Sequence, residues 1–401
     1  MSIIQLGLIF VAVLISIPTL VFFIETAAAL SGIRERNASF AGTVPARNET
    51  AAVMIPAHNE SIGILPTLED IKPQLTSGDR LVVVADNCSD DTASVAAAAG
   101  AEVTARDDLE RIGKGYALDW GIRYLAPNPP KNVIFIDADC RIQSDMINGL
   151  KAACAALGKP VQACFLMRSP QNGQRDYSVS EFAWIIRNWV RPLGLRSLGG
   201  PTQLMGTGII IPWELLTKIA IASGNLVEDL KLGLDLAVIG AAPRFFPFVV
   251  GTSEFPASDA AAETQRQRWV SGSIDTIAKS LWRYLYLAIT QRNVDLLVLC
   301  LDALVPPLTL LAFLQVGIFV VAAIALLLNA SYAPFLIATT NLFVFSFTLL
   351  IAWLRFGGDV LPLSAVWKRA PSVASRLWVF LLIMLGKTDK KWIRTSRKSN
   401  D

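Results

Sequence analysis

Two carboxylates lie two residues apart, at Asp137 and Asp139, directly after the apolar run 133–136. Hard divalent cations such as Mg²⁺ and Mn²⁺ need oxygen ligands, and one or two carboxylates together with diphosphate oxygens form the usual shell. A cation held there would offset the charge that develops on a departing nucleoside diphosphate. The pair therefore predicts a metal site, although an Asp-x-Asp tripeptide is common and weakly specific by itself.

Polar residues follow two other apolar runs in the same way. Residues 51–55 lead into Asn59 and Glu60, and residues 81–85 lead directly into Asp86. Each of these alone could be a turn or a helix cap, which is the usual role of Asp and Asn after a strand. Recurrence at three strand ends favours a ligand site instead.

These positions require a sheet that brings the strand ends together. Short β-branched runs at 51–55, 81–85, 133–136 and 207–211 alternate with helical patterns. Continuous apolar strands with helices between them indicate an α/β fold with a mostly parallel sheet covered on both faces. In such sheets ligands bind at the carboxyl ends of the strands.

Six short motifs in a fixed order resemble the signature of family-2 glycosyltransferases with the GT-A fold. Within that family, the chain is most similar to the membrane-bound branch that contains the cellulose, chitin, hyaluronan and poly-N-acetylglucosamine synthases. The resemblance covers about residues 50 to 275. The motifs lie at residues 53–60, 86, 113–115, 137–139, 228–229 and 265–269.

The resemblance implies a role for each matching residue in binding a nucleotide-sugar donor, with UDP as the expected nucleotide. Glu60 and Asp86 would hold the nucleoside, and Lys114 would lie beside the base or the phosphate. Asp137 would bind near the nucleotide and contribute to the metal site, while Asp139 would ligate Mg²⁺ or Mn²⁺.

The acidic pair Glu228 and Asp229 precedes an apolar run, so a helix N-cap is one interpretation. The resemblance instead makes the pair catalytic, with Asp229 as the general base. An inverting transfer needs a base within hydrogen-bond reach of the nucleophile, and an aspartate is normally ionised at neutral pH.

Gln265, Arg268 and Trp269 lie on nearly the same face of a predicted helix, because residues three and four apart are neighbours. Arg268 could pair with the donor diphosphate through its planar guanidinium. Gln265 and Trp269 are predicted to bind the acceptor, the tryptophan as a platform for a sugar ring. A membrane-surface helix with basic and aromatic anchors explains the same pattern without a substrate.

Two further features carry weaker signals. Gly206 and Gly208 precede a strand, where they could let the backbone approach the acceptor or only relieve a steric clash. Trp184, Arg187 and Trp189 form an aromatic and basic set at helical spacing, which could cover the acceptor path.

The chain has 401 residues, of which 53% are hydrophobic, and the excess is concentrated in blocks. Residues 3–24, 302–328 and 334–354 are long enough and apolar enough to cross a bilayer. A cleaved signal peptide is the alternative for the first block, but that block is longer than a usual signal sequence and no basic residue precedes it.

Basic residues flank the inner ends of these segments, so the positive-inside rule predicts an inner-membrane, multi-pass protein with a cytoplasmic middle and C-terminus. Residues 373–386 are predicted to lie on the membrane surface, with a fourth span as the alternative. The net charge of +3 and the lack of a basic stripe in the middle region indicate no nucleic-acid partner.

The predicted organisation is a transmembrane helix at 1–30, a linker at 31–50, the GT-A domain at 51–255, interfacial helices with the Gln-x-x-Arg-Trp motif at 256–300, two transmembrane helices at 301–356, and a surface helix with a basic tail at 357–401.

The sequence thus predicts an inverting, metal-dependent membrane glycosyltransferase that extends an exopolysaccharide or a lipid-linked glycan. The expected partners are the nucleotide sugar, a glycan or polyprenyl-linked acceptor, the bilayer and polysaccharide-export subunits. A non-catalytic, nucleotide-sugar-binding subunit of a polysaccharide assembly complex is the alternative from another class. A soluble nucleotidyltransferase is disfavoured by the apolar spans.

Overall fold

The computed structural model describes residues 3–36, 49–170, 177–225, 227–256, 258–329 and 331–364. The predicted surface helix at 373–386 and the basic tail lie outside the described residues, as does most of the predicted linker.

One eight-stranded sheet forms the centre of residues 49–256, the region in which the sequence predicts the catalytic site and which is called the catalytic region below. Its strands are β1 (Ala51–Ala57), β2 (Arg80–Asp86), β3 (Glu102–Arg106), β4 (Asn132–Phe135), β5 (Arg141–Ile142), β6 (Val161–Arg168), β7 (Ile209–Pro212) and β8 (Arg244–Glu254). Their order across the sheet is β3-β2-β1-β4-β7-β6-β8-β5. The first four are mutually parallel and β8 is parallel to β6, whereas β7 is antiparallel to both of its neighbours and β5 is antiparallel to β8. The predicted α/β class with a mostly parallel sheet is confirmed.

The helices of the catalytic region are α2 (Ile64–Ile71), α3 (Thr92–Ala98), α4 (Lys114–Leu125), α5 (Met146–Leu157), α6 (Ser178–Ile185), α7 (Arg191–Ser197), α8 (Trp213–Leu216) and α9 (Glu228–Val238). A 3₁₀ turn, Lys72–Gln74, follows α2, and a π-helical turn, Ile186–Val190, joins α6 to α7. The remaining helices are α1 (Ile3–Arg36), α10 (Asp259–Thr290), α11 (Val294–Ala303), α12 (Leu308–Leu327) and α13 (Ala333–Ala352), with a second π-helical turn at Trp353–Gly357.

Both faces of the sheet are buried, which explains the continuous apolar strands. Val53 and Ile55 of β1 point to the face that α2 covers, while Ala52 and Met54 point to the opposite face beneath α4. Successive side chains alternate between the two faces of a strand, so a strand covered on both sides must be apolar at every position.

Within the part of the chain that the structure describes, three helices are long and apolar enough to cross a membrane, at Ile3–Gly32, Leu308–Leu327 and Ala333–Gly357. The first and third of these helices pack together through Phe22 and Phe345, whose ring centroids lie 6.0 Å apart, and through a hydrogen bond of 2.9 Å from Asn341 Nδ2 to the carbonyl of Ala12. Membrane association follows from these helices.

The second apolar helix begins later than the sequence predicts. The predicted span starts at residue 302, but Asp302 belongs to α11 and α12 begins at Leu308. Pro306 and Pro307 lie between the two helices. Proline has no backbone N–H and clashes with the preceding turn, so the pair ends the continuity of the helix.

Candidate active site

A cavity of about 290 Å³ opens at the carboxyl ends of β1, β2 and β4. It is lined by eight of the ten residues predicted to act in the site: Glu60, Asp86, Lys114, Asp137, Asp139, Glu228, Asp229 and Gln265. These residues come from segments that are distant in sequence, and the parallel strands bring their ends together at one edge of the sheet.

Asparagine side chains fix the loops after β1 and β2. Asn59 and Asn87 both have positive φ, at 54° and 51°, a conformation that asparagine tolerates better than most residues. Asn59 Oδ1 accepts a hydrogen bond of 2.7 Å from the backbone N–H of Ser89, which ties the two loops together. Asn87 Oδ1 accepts from the backbone N–H of Asp108 at 2.7 Å. The loops that carry Glu60 and Asp86 are therefore held in place by local hydrogen bonds.

Asp86 is paired with an arginine that the sequence did not single out. Arg106 Nη1 lies 2.5 Å from Asp86 Oδ1, and both side chains are nearly buried. The guanidinium also lies 5.7 Å from the ring centroid of Tyr116. Burial raises the pKa of Asp86, and the charge of Arg106 opposes that shift. A nucleoside at this wall would meet an ion pair rather than an isolated carboxylate.

Asp137 and Asp139 lie between β4 and β5, and their ligand oxygens lie within 4.8 Å of each other and of the Cys140 sulfur. The backbone N–H of Asp137 donates to Thr207 Oγ1 at 3.0 Å, which fixes the turn. Burial raises the pKa of Cys140 to about 12, so its thiol stays protonated and is a poor metal ligand. The two carboxylates form a donor set that suits a hard divalent cation.

Lys114 lies among the carboxylates instead of at the edge of the cavity. Its ammonium group contacts Asp137, lies 3.7 Å from Glu228 Oε1 and donates to the carbonyl of Gly206 at 2.7 Å. Burial would lower the pKa of Lys114, but Asp137 and Glu228 outweigh it and hold that pKa above its ordinary value. Gly206 has φ of +86°, a backbone conformation that glycine adopts without strain.

Glu228 and Asp229 are the first two residues of α9, and neither is its N-cap, which is Val227. Asp229 Oδ1 accepts a hydrogen bond of 2.8 Å from the backbone N–H of Leu230. Burial raises the pKa of Glu228 to about 7 against the opposing charge of Lys114. Burial also raises the pKa of Asp229, while Lys114 and Arg187 lower it. The raised pKa of each carboxyl group makes its carboxylate a stronger base, which favours proton abstraction from a hydroxyl.

The last predicted motif lies on α10. Gln265 is buried and lines the cavity. Arg268 and Trp269 follow on the same helix, but their side chains lie outside the described part of the structure, so their predicted contacts with diphosphate and acceptor remain predictions.

The sequence profile of the family described as "Glycosyltransferase like family 2" matches residues 48–272. The chain belongs to this family. The match covers the whole sheet and the first half of α10, and it confirms the predicted enzyme class. This glycosyltransferase has no match among curated proteins.

The glycosyltransferase is also similar to solved structures. One is a mannosyltransferase from Pyrobaculum calidifontis in complex with GDP-mannose and Mn²⁺, with 18% identity, a TM-score of 0.48, and coverage of 85% of this chain and 98% of that chain. Another is glucosyl-3-phosphoglycerate synthase from Mycobacterium tuberculosis in complex with Mn²⁺, UDP and phosphoglyceric acid, with 25% identity, a TM-score of 0.39, and coverage of 57% and 80%. Similarity at this level does not define the substrate of the enzyme.

Several residues at the site of the glycosyltransferase were missed or only weakly signalled by the sequence. Thr207 supports the metal-site turn and Arg106 pairs with Asp86, and neither was predicted to act in the site. Of the aromatic and basic set, Trp184 and Arg187 line the cavity. Trp189 instead packs against Phe356, with ring centroids 6.0 Å apart.

Proposed function

We propose that this glycosyltransferase transfers a sugar with inversion from a nucleotide sugar, UDP-linked by preference, to an acceptor hydroxyl at the cytoplasmic face of the inner membrane. The acceptor is a growing exopolysaccharide or a lipid-linked glycan, as in the membrane-bound synthase branch. The convergence of Asp137, Asp139, Glu228 and Asp229 around Lys114 in one cavity carries the proposal.

Asp137 and Asp139 would hold Mg²⁺ or Mn²⁺, because their paired oxygens fit a hard cation and the neighbouring Cys140 thiol is protonated. When bound, the cation would neutralise charge on the donor diphosphate. The Lys114 ammonium lies next to Asp137, where it would add a second positive charge beside the leaving group. Glu60 and Asp86, the latter paired with Arg106, line the same cavity, and the nucleoside would bind beside them.

Asp229 is the proposed base that takes the proton of the acceptor hydroxyl. Its carboxylate faces the cavity at the start of α9, and its hydrogen bond to the N–H of Leu230 fixes its orientation. Glu228 lies beside Lys114 and would tune the charge around the base. Arg268 and Trp269 complete the proposal as contacts to the diphosphate and the acceptor.

Release of UDP by the purified full chain in nanodiscs, across a panel of nucleotide sugars, tests the proposal. We expect release with at least one donor and loss of release with EDTA. Asp229→Asn should lower transfer by about 10³-fold, since general-base catalysis contributes 10² to 10⁴, while donor binding is retained. Asp275→Asn, at a position of α10 whose side chain is 44% exposed, is the matched control. Turnover that is insensitive to EDTA, or an active Asp229→Asn enzyme, would count against the proposal.

A further inference from the structure

A second cavity, of about 430 Å³, adjoins the catalytic cavity. It lies between the α6–α7 segment, α9, α10 and the start of α12. Six residues line both cavities: Trp184, Arg187, Asn188, Met205, Asp229 and Gln265. The proposed base therefore faces both spaces, and one molecule could extend from one cavity into the other.

The second cavity is lined mainly by apolar side chains, with polar and charged groups such as Arg191, Arg266 and Asp302 in the minority. Its apolar side chains include Leu195, Leu204, Val270, Ile274 and Ile277. A polysaccharide chain would bury many hydroxyl groups against these side chains without hydrogen bonds, which is costly. A hydrocarbon chain gains free energy from the same contact. The lining favours a lipid chain over a glycan.

The cavity lies at the level where the membrane-spanning region begins. Pro306, Pro307 and Leu308 line it, and Leu308 is the first residue of the apolar helix α12. Lipid head groups lie at the ends of membrane-spanning helices. A lipid could therefore enter the cavity from the bilayer with its head group directed to the catalytic site.

A positively charged side chain, that of Arg187, lies at the junction of the two cavities. The Arg187 side chain is exposed to the cavity and makes no hydrogen bond or ion pair with another described residue. Its guanidinium lies 5.7 Å from the ring centroid of Trp184. A guanidinium presents a planar fork of donors that matches a phosphate group.

We propose that the acceptor is a membrane lipid whose apolar chain occupies the second cavity, whose phosphate group binds Arg187, and whose terminal hydroxyl reaches Asp229. This inference rests on the proposed function. In the transfer, the acceptor oxygen forms a bond to the anomeric carbon as the bond from that carbon to the diphosphate oxygen breaks. The hydroxyl proton passes to Asp229, and the nucleoside diphosphate leaves with the bonding electron pair.

Three forms of the same acceptor sugar test this proposal: an isoprenyl diphosphate-linked sugar, a neutral isoprenyl glycoside and a soluble methyl glycoside. UDP release by the full chain in nanodiscs is measured with each of the three forms, for a panel of acceptor sugars. It is also measured without any acceptor. We expect acceleration by the diphosphate-linked lipid and none by the soluble glycoside. Equal acceleration by the soluble glycoside would overturn the lipid acceptor, and equal acceleration by the neutral lipid would overturn the role of Arg187. Absence of release under every condition would overturn the proposed function itself.

A pair of variants on α10 locates the lipid chain. Ile277→Trp fills the second cavity, whereas Ile289→Trp makes the same change at a position that is 69% exposed. We expect Ile277→Trp to raise KM for the lipid acceptor at least about tenfold, because the indole ring occupies volume that the lipid chain needs. The melting temperatures of both variants are measured alongside, so that a folding defect is distinguished from a loss of lipid binding. Equal KM values for the two variants would show that the chain does not bind in this cavity.

Arg187→Lys and Arg187→Gln test the phosphate contact. The lysine keeps the charge but loses the planar fork, and the glutamine loses both. We expect KM for the diphosphate-linked lipid to rise in the order wild type, Arg187→Lys, Arg187→Gln, with KM for the donor unchanged. A change in donor KM instead would assign Arg187 to the donor.

Discussion

Two clusters of buried charge in this glycosyltransferase contain the same kinds of side chain and differ in what surrounds them. The first joins the membrane helices to the catalytic region. Arg191 of α7 donates to Glu25 Oε2 of α1 at 2.6 Å and to Asp302 Oδ1 of α11 at 2.5 Å. It also donates to the Asp302 backbone carbonyl at 2.7 Å. All three side chains are at least nine-tenths buried.

The second cluster lies in the catalytic cavity and is open. Lys114 contacts Asp137 and lies near Glu228, with side-chain exposures of 22%, 33% and 14%. Asp139 and Asp229 add further carboxylates to the same cavity. Negative charge exceeds positive charge on surfaces that a ligand can reach in this open cluster, whereas in the first, closed cluster both carboxylates are paired with Arg191 and at least nine-tenths buried.

The comparison separates a structural role from a binding role. An arginine with a fixed fork of donors suits a closed junction between helices, because its geometry selects one arrangement of partners. A lysine on a flexible stem suits a site whose partners change when a cation and a diphosphate bind. Neutral substitutions should therefore affect folding at the first cluster and activity at the second.

The largest expected effect is on activity at the open cluster. Asp139→Asn removes one of two proposed metal ligands, and we expect a loss of at least about 10³-fold in turnover, since metal stabilisation of the leaving group contributes several kcal/mol. The melting temperature without cation should change little. Asp145→Asn is the control, because Asp145 is exposed and asparagine accepts its φ of 67°. UDP release against Mn²⁺ concentration is the measurement, and wild-type cation dependence in Asp139→Asn would contradict the assignment.

The next effect is on stability at the closed cluster. Arg191→Met leaves two buried carboxylates without their partner, and we expect a loss of about 3–5 kcal/mol in the free energy of unfolding. A triple variant with Glu25→Met, Arg191→Met and Asp302→Leu should recover most of that loss, because no unpaired charge is left. Thermal unfolding in detergent measures both variants. A triple variant no more stable than Arg191→Met would show that the cluster does more than hold the helices together.

A smaller effect is expected where α7 packs on α1. A Cβ added at Gly194 would lie 1.8 Å from the backbone oxygen of Glu25, so the helices would have to separate. We expect Gly194→Ala to cost about 1–3 kcal/mol, as for other overpacked sites. Gly7→Ala on α1, which would meet nothing within 4 Å, should be tolerated. Equal melting temperatures for the two variants would contradict the close packing of these helices.

The smallest effect is a pH dependence at the open cluster. The pKa of Glu228 is about 7 in the folded protein, against about 4.3 for an unfolded glutamate. The folded state thus binds more protons at Glu228 between these values, so the contribution of Glu228 to stability is fully present below about pH 4 and is lost as pH rises through about 7. From about pH 5 to 8, wild type should lose stability relative to Glu228→Gln, on the order of 1 kcal/mol. Thermal unfolding in EDTA without donor measures this, and parallel curves would contradict it.

Much of the site could be predicted from the sequence because its residues directly follow apolar strands. Asp86 and Asp137 come at strand ends, and parallel strands bring such ends together wherever the sheet forms. The Asp86–Arg106 pair could not be predicted in this way. It depends on the register in which β2 and β3 pair, which places Asp86 opposite Arg106. Sequence periodicity does not specify which neighbouring strand lies alongside or in which register.

The sequence by itself determined the class of the sheet, the family, the apolar helices and the order of the acidic motifs, because these depend on local patterns of side chains. Only the tertiary structure decided where α12 begins relative to α11, that Lys114 lies among the carboxylates, and that Arg187 faces two adjoining cavities. Those features arise where distant segments dock, so they depend on contacts between residues whose separation along the chain carries no periodic signal.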